Sequence, residues 1–304
     1  MLRPAFAFSL LISITTPAAA QENSLFWEVK GSGSDRSSYL FGTVHSRDVR
    51  AYGQVERVLP YADSVQVVAG ELDLEKGMAD PIGLMGAMML PEGKSLKELY
   101  KEKDWLLIEK EIGAQLGPMA TMAQKLKPIF VMAMLTEAAM AQDEELVLDD
   151  HLLSTAKAEG HRVIGIETVE EQMNALDALP LKEQAALLLE HVKSDGAEVE
   201  LNELMDAYAA QDLEAIARLV KESASMPKDL EKVLITDRNH RMVYRLDSIM
   251  QGGESILFCV GAAHLPLEDG LIGLLREKGY EVVPVKDEIA PRKEIEPAIE
   301  EKDR

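Results

Sequence analysis

Short apolar runs rich in β-branched residues lie near both ends of the chain and in one place near its middle. Such runs are typical of buried strands. The glycine-rich and serine-rich stretch at 31–35 is typical of a hairpin connection between the first two runs. The pattern predicts six strands, at residues 25–29, 39–41, 65–69, 163–166, 256–260 and 281–285.

Most of the remaining sequence repeats apolar residues at every third or fourth position with charged residues between them, which predicts amphipathic helices. Together the two patterns predict an α/β fold, with a small central β-sheet wrapped by many helices. The methionine-rich stretch at 78–89 favours a flexible packed segment, with a mobile lid over a pocket as the alternative. The predicted helices cover residues 96–112, 128–141, 146–159, 182–192, 198–210, 213–222 and 230–250.

The two ends of the chain differ in composition from the rest. Residues 1–20 combine one charge, Arg3, with an apolar run and a final Ala-Ala-Ala; this pattern predicts a secretory signal peptide. Residues 287–304 are rich in charge and poor in large apolar groups, which favours a disordered tail. We therefore expect a single α/β domain over residues 21–286, located in the periplasm or secreted, with no integral membrane segment after signal removal.

The protein is strongly acidic. Removing Arg3 from the 32 basic residues leaves 31 against 53 acidic residues, a net charge of −22. Phosphate backbones and anionic lipid surfaces repel such a chain, so nucleic acid is not an expected partner. The single cysteine, Cys259, excludes an intrachain disulfide and is interpreted as a small buried hydrophobic residue.

The most informative feature is a unit that occurs twice. Gly42-Thr-Val-His45 follows the second predicted strand, and Gly261-Ala-Ala-His264 follows the fifth. Each is followed by a helical stretch and another strand, so the sequence predicts two pseudo-equivalent strand-GxxH-helix-strand units. Ligands bind at the carboxyl ends of strands in open α/β sheets. Two neutral imidazoles at that edge would be natural ligands for a divalent transition metal ion.

Carboxylates are expected at the same edge, because two imidazoles rarely suffice for a metal ion. Glu71 and Asp73 follow the third predicted strand, and their alternation places both on one face. Either could bind the ion or act as a general base. Arg238, on the last long helix, could hold a substrate oxyanion or fix a ligand carboxylate, and a solvated helix face is the alternative.

Several blocks of this sequence together resemble the bacterial TraB/GumN family, which is related to the Tiki metalloproteases. The resemblance extends over nearly all of the sequence after the predicted signal peptide, although Gln211 stands where Gly-Asp is usual in the family. The blocks are Leu40 to His45, Glu71-Leu-Asp73, Asp149 leading into Ala156, Gly165 to Gln172, Arg238-Asn239, Gly261 to Pro266, Asp269-Gly270 and Leu274-Leu275 through Gly279-Tyr280.

The resemblance implies a metal site formed by His45, His264 and Glu71, with Arg238 lining it and Glu71 and Arg238 taking part in catalysis. Mn, Co or Zn would suit such ligands. It also implies metal-dependent hydrolysis of a peptide or protein substrate. We keep two alternatives: a non-catalytic ligand-binding or accessory protein of the cell envelope, and a protein that sequesters peptides on its helical surface.

Overall fold

The computed structural model describes residues 23–31, 36–73, 80–194, 197–223, 228–266 and 269–285. The predicted signal peptide at 1–20 and the predicted tail at 287–304 lie outside these residues. Most of the predicted hairpin loop at 31–35 also lies outside them. The single domain expected over residues 21–286 stays a prediction.

The described residues form one six-stranded sheet, which confirms the predicted α/β fold. Its order is β4-β3-β5-β2-β1-β6. The four strands β4, β3, β5 and β2 run parallel to one another, whereas β1 pairs antiparallel with both β2 and β6. The strands are β1 Phe26–Lys30, β2 Ser38–Thr43, β3 Val67–Leu72, β4 Val163–Glu167, β5 Ile256–Gly261 and β6 Glu281–Pro284.

The four parallel strands end at one edge of the sheet. Thr43, the last residue of β2, pairs with Gly261, the last residue of β5. Near the end of β3, Leu72 pairs with Glu167, the last residue of β4. Because parallel strands present their carboxyl ends together, the residues that follow them share the edge where ligands bind in such sheets.

Helices occupy most of the chain between the strands, and most of the predicted helices are confirmed with ends shifted by a few residues. A π-helix at Lys232–Thr236 joins the helices before and after it. The α-helices are α1 Val55–Val58, α2 Pro81–Met88, α3 Glu102–Leu116, α4 Ala120–Ala123, α5 Pro128–Ala139, α6 Leu148–Ala158, α7 Val169–Asp177, α8 Leu181–Lys193, α9 Ala197–Ala209, α10 Leu213–Glu222, α11 Lys228–Glu231, α12 Asp237–Gln251 and α13 Leu271–Glu277.

Two helices were predicted as continuous, but the structure interrupts each of them. The helix at 96–112 begins as a separate 3-10 turn, Leu96–Leu99, because Tyr100 and Lys101 adopt extended backbone angles before α3 starts. The helix at 230–250 is divided by the π-helical turn. The described part of the methionine-rich stretch contains the short helix α2, which has no fully buried residue, although Met88 packs partly against buried apolar side chains. The flexible packed segment and the lid both stay predictions.

Helix α7 was not predicted, although the sequence carries a signal for its start. Thr168 accepts a hydrogen bond from the backbone N–H of Glu171, and the Glu171 side chain accepts one from the backbone N–H of Thr168. This reciprocal capping box starts the helix immediately after β4. Consequently, the residues of α7 lie beside the carboxyl ends of the strands.

Buried apolar side chains form two clusters. The larger cluster packs around the sheet and includes Phe41 and Phe258. The smaller one packs between helices and includes Trp105 and Leu188. Cys259 is buried in the first cluster, which confirms its interpretation as a buried hydrophobic residue. Among the described residues, no helix combines the length and apolar character that crossing a membrane requires.

Candidate functional site

A buried arginine joins two carboxylates at the carboxyl edge of the sheet. Arg238, from α12, donates through Nε and Nη2 to Oε2 of Glu167, at 2.9 Å and 2.7 Å. Its Nη2 also donates to Oε2 of Glu71. The Glu167 side chain is 0% exposed and that of Arg238 is 10% exposed. Water therefore screens this ion pair weakly, and removing either charge would leave its partner buried with less compensation.

Glu71 is held from several sides. Its Oε2 also accepts a hydrogen bond from Gln172 at 3.2 Å, and its Oε1 accepts one from the backbone N–H of Gly261 at 2.9 Å. Burial would raise the pKa of Glu71, but His264, Arg238 and the Gly261 hydrogen bond outweigh it and lower that pKa. Glu71 is therefore ionised at neutral pH.

Both motif glycines permit close approaches at this edge. A Cβ atom at Gly261 would lie 3.2 Å from Oε1 of Glu71, where the carboxylate accepts its backbone hydrogen bond. A Cβ atom at Gly42 would lie 2.8 Å from a methyl carbon of Leu265, in the segment that follows β5. A side chain at Gly42 would require Leu265 to move, and one at Gly261 would crowd Oε1 of Glu71.

His264 is buried in the 3-10 turn Ala262–His264, directly after β5. Its Nδ1 lies 2.6 Å from Oδ1 of Asn239, and its Nε2 lies 3.8 Å from Oε1 of Glu71. Burial lowers the pKa of His264, and the nearby Glu71 only partly opposes this effect. The imidazole is therefore neutral at neutral pH, and its ring nitrogen Nε2 faces an ionised carboxylate.

His45 follows β2 and lies in a second group. Its side chain is 67% exposed, and its Nδ1 lies 3.5 Å from Oδ2 of Asp149 on α6. Asp149 also accepts a hydrogen bond from the hydroxyl of Thr43, the last residue of β2. The Asp149 carboxylate raises the pKa of His45, and the charges of Asp150 and Glu137 add smaller contributions. Partial burial of the ring opposes this rise without cancelling it.

The structure brings some of the predicted site residues together. Glu71 contacts Arg238 and lies 3.8 Å from Nε2 of His264. His45 contacts Asp149 at the end of the neighbouring strand, and Asp73 lies just past β3. No group of three or more His, Cys, Asp or Glu side chains that could hold a metal ion occurs within the described ranges.

The facing pair of His264 and Glu71 nevertheless fits a cation in its chemistry. A neutral imidazole nitrogen and an ionised carboxylate oxygen are the donor types that divalent transition metals accept in proteins. The model of the TraB/PrgY/gumN family matches residues 25–284. This chain belongs to that family. The match includes all six strands and every residue of the site described above.

Curated relatives of this TraB/PrgY/gumN family chain carry metalloprotease names. Metalloprotease TIKI2 of Danio rerio is 26% identical over 86% of this chain and 60% of its own length. A Metalloprotease TIKI homolog of Nematostella vectensis is 26% identical over 88% and 68%. Human Metalloprotease TIKI1 is 24% identical over 88% and 63%. The chain thus spans roughly 60 to 68% of these relatives, and no solved structure shows a significant match.

Sequence reasoning did not single out two polar residues of this family member's site. Glu167 is the last residue of β4 and Glu71 is the next to last of β3, so the rule that selected Glu71 could also have found Glu167. Asn239 follows Arg238 and was noted only as its neighbour. Its contact with His264 spans 25 positions and had no signal in the local pattern.

Proposed function

We propose that this protein is a metal-dependent hydrolase that cleaves peptide bonds in the periplasm or outside the cell. His264, Glu71 and His45 would hold a divalent ion, with Mn, Co and Zn as the candidates. The observation that carries the proposal is the neutral Nε2 of buried His264 facing the ionised Oε1 of Glu71 at 3.8 Å. The metalloprotease names of the curated relatives support the same reading.

The ion would supply Lewis-acid activation of a carbonyl group and of water. The residues of this chain provide the rest of the chemistry. Glu71, with its lowered pKa, stays ionised at neutral pH and can accept a proton or a cation at Oε1. Gly261 and Gln172 hold the two oxygens of that carboxylate in place.

Of the two roles expected for Arg238, its contacts favour fixing the ligand carboxylate. Its Nε and Nη2 donate to Glu167 and Glu71, and its Nη1 donates to the backbone oxygen of Leu234 at 3.1 Å. Each guanidinium nitrogen is therefore already engaged inside the protein. We propose that Arg238 acts by holding Glu71 in position rather than by reaching a substrate oxyanion.

The test is peptidase activity on a mixture of fluorogenic peptides. We expect activity in the wild type, its loss on chelation, and its return when Mn²⁺, Co²⁺ or Zn²⁺ is added back. His264→Ala and His45→Ala should lose activity, whereas His240→Ala, whose side chain is 57% exposed, should retain it. Equal activity in all four proteins would contradict the proposal, and tight ligand retention without turnover would favour the binding protein.

The cellular location has its own test. The predicted signal peptide requires that the protein found outside the cytoplasm begins at Gln21. N-terminal sequencing of protein recovered from the periplasm or the medium should give Gln21 as its first residue. A protein recovered only from the cytoplasm, with Met1 retained, would contradict this part of the proposal.

A further inference from the structure

Each of the two motif histidines has its Nδ1 against a polar side chain from a helix. For His264 that side chain is Asn239, on α12. The Asn239 amide nitrogen donates to the backbone oxygens of Asp269 at 2.8 Å and of His264 at 3.4 Å. These two contacts fix the direction of the amide, so its Oδ1 must accept from Nδ1–H of His264. The lone pair of the ring is then on Nε2, towards Glu71.

For His45 the corresponding side chain is Asp149, in the first turn of α6. Its Oδ1 accepts from the Thr43 hydroxyl, so the other oxygen is left to face the ring. That oxygen, Oδ2, is inaccessible to water and has no hydrogen-bond partner among the described residues. His45 Nδ1 lies 3.5 Å from it. Buried acceptors are normally satisfied, and a small movement of the ring would complete this hydrogen bond.

We infer that Asp149 is the positioning residue for His45. By accepting a hydrogen bond from Nδ1–H, it would hold the imidazole in the tautomer that leaves the Nε2 lone pair free for a metal ion. Asn239 holds His264 in the same tautomer. Second-shell partners of this kind fix the tautomer and orientation of metal-binding histidines. The metal part of this inference rests on the proposed function, whereas the tautomer does not.

The two positioning side chains differ in charge, and this difference separates the two histidines. Asp149 is a carboxylate whose Oδ2 lies 3.5 Å from Nδ1 of His45. Asn239 is a neutral amide whose Oδ1 lies 2.6 Å from Nδ1 of His264. A carboxylate partner makes an imidazole a more basic ligand. Loss of the carboxylate at Asp149 should therefore weaken binding on the His45 side without affecting the hydrogen bond of His264.

The experiment compares Asp149→Asn with Asp150→Asn. Asp150 is the next residue of α6 and its substitution makes the same change in charge, but the described contact of the His45 ring is with Asp149 and not with the Asp150 carboxylate. The first readout is the ¹⁵N chemical shift of the His45 ring nitrogens in metal-free protein, at a pH where the ring is neutral. The second is the dissociation constant for Zn²⁺, measured by competition with a chromophoric chelator.

We expect the wild type and Asp150→Asn to carry the His45 proton on Nδ1. In Asp149→Asn the Thr43 hydroxyl would retain the amide oxygen, so the amide nitrogen faces the ring and the proton moves to Nε2. Removing a charged partner similarly produced the wrong tautomer in the serine-protease triad. We expect Zn²⁺ affinity in this variant to fall by about 10-fold to 100-fold.

A wild-type His45 that carries its proton on Nε2 would overturn the inference, and this measurement does not depend on any variant being folded. Unchanged tautomer and unchanged Zn²⁺ affinity in folded Asp149→Asn would overturn it as well. If the wild type binds no Zn²⁺ but the proton moves as expected in Asp149→Asn, positioning by Asp149 is supported and the proposed metal function fails. The two failures are thereby distinguished.

Discussion

Replacing Arg238 with methionine should destabilise the protein strongly. Methionine keeps much of the volume but removes the cation that joins Glu71 and Glu167. The Glu167 side chain is 0% exposed, so its charge would remain buried with only the partly exposed Arg241, at 3.3 Å, as a cationic partner. Breaking a buried ion pair by removing one partner costs about 3 to 5 kcal/mol. For a chain of this size, each 1 kcal/mol lowers the melting temperature by about 2 to 4 °C.

The expected fall in melting temperature is therefore about 6 to 20 °C. Thermal unfolding followed by circular dichroism at pH 7.5 measures it, with Arg218→Met as the control. Arg218 is exposed on α10, and its replacement should change stability by less than about 0.5 kcal/mol. Should Arg238→Met lose no more stability than Arg218→Met, the buried ion pair is not a structural element of this site.

The effect of Arg238→Met should also depend on pH. Its charge helps to lower the pKa of Glu71 below the ordinary value of 4.5. A lowered pKa contributes stability that is present above 4.5 and is lost as the pH falls through the folded value. The variant lacks this contribution, so the gap in melting temperature should be largest at neutral pH. It should persist down to about pH 4.5 and narrow as the pH falls below that value, and a gap that stays constant at lower pH would refute the electrostatic reasoning.

Three further predictions concern other local features. Thr168→Ala should cost about 1 kcal/mol in chemical denaturation, because the capping box of α7 is lost. Arg245 lowers the pKa of Glu171 to about 2, so the stability advantage of wild type over Glu171→Gln should be present above pH 4.5 and vanish as the pH falls through about 2. Gln211 follows α9 with a φ of 56°, and its N–H donates to the backbone oxygen of Tyr208. Glycine adopts this left-handed conformation more readily, so Gln211→Gly should raise the free energy of unfolding by up to about 1 kcal/mol. A destabilised variant would contradict this interpretation.

The strands and the edge of the sheet could be predicted because their signals are local. Each strand is a short apolar run, and residues that follow parallel strands gather at one edge. Glu71 and His264 could therefore be assigned to the same edge from the sequence. Their contact depends on β3 lying directly beside β5, although 184 positions separate Leu72, the end of β3, from Ile256, the start of β5.

The buried ion pair could not be predicted, because its partners lie far apart in the sequence and on different elements. Glu167 and Arg238 are separated by 71 positions, and no local period indicates that a charge at either position is buried. The contact between His45 and Asp149 could not be predicted either, because these residues also lie far apart in the sequence and no local pattern links them. In contrast, α7 could have been predicted, since Thr168 and Glu171 have the spacing of a capping box.

The most direct test of the central claim is the metal content of the protein, purified without chelators and measured by elemental analysis. If the lone pair of His264 and the carboxylate of Glu71 share a divalent ion, the wild type should contain close to one ion per chain. Glu71→Gln and His264→Ala should each lose it, and His240→Ala should keep it. A folded wild-type protein with no bound ion, or the same ion content in Glu71→Gln and His264→Ala, would contradict the account.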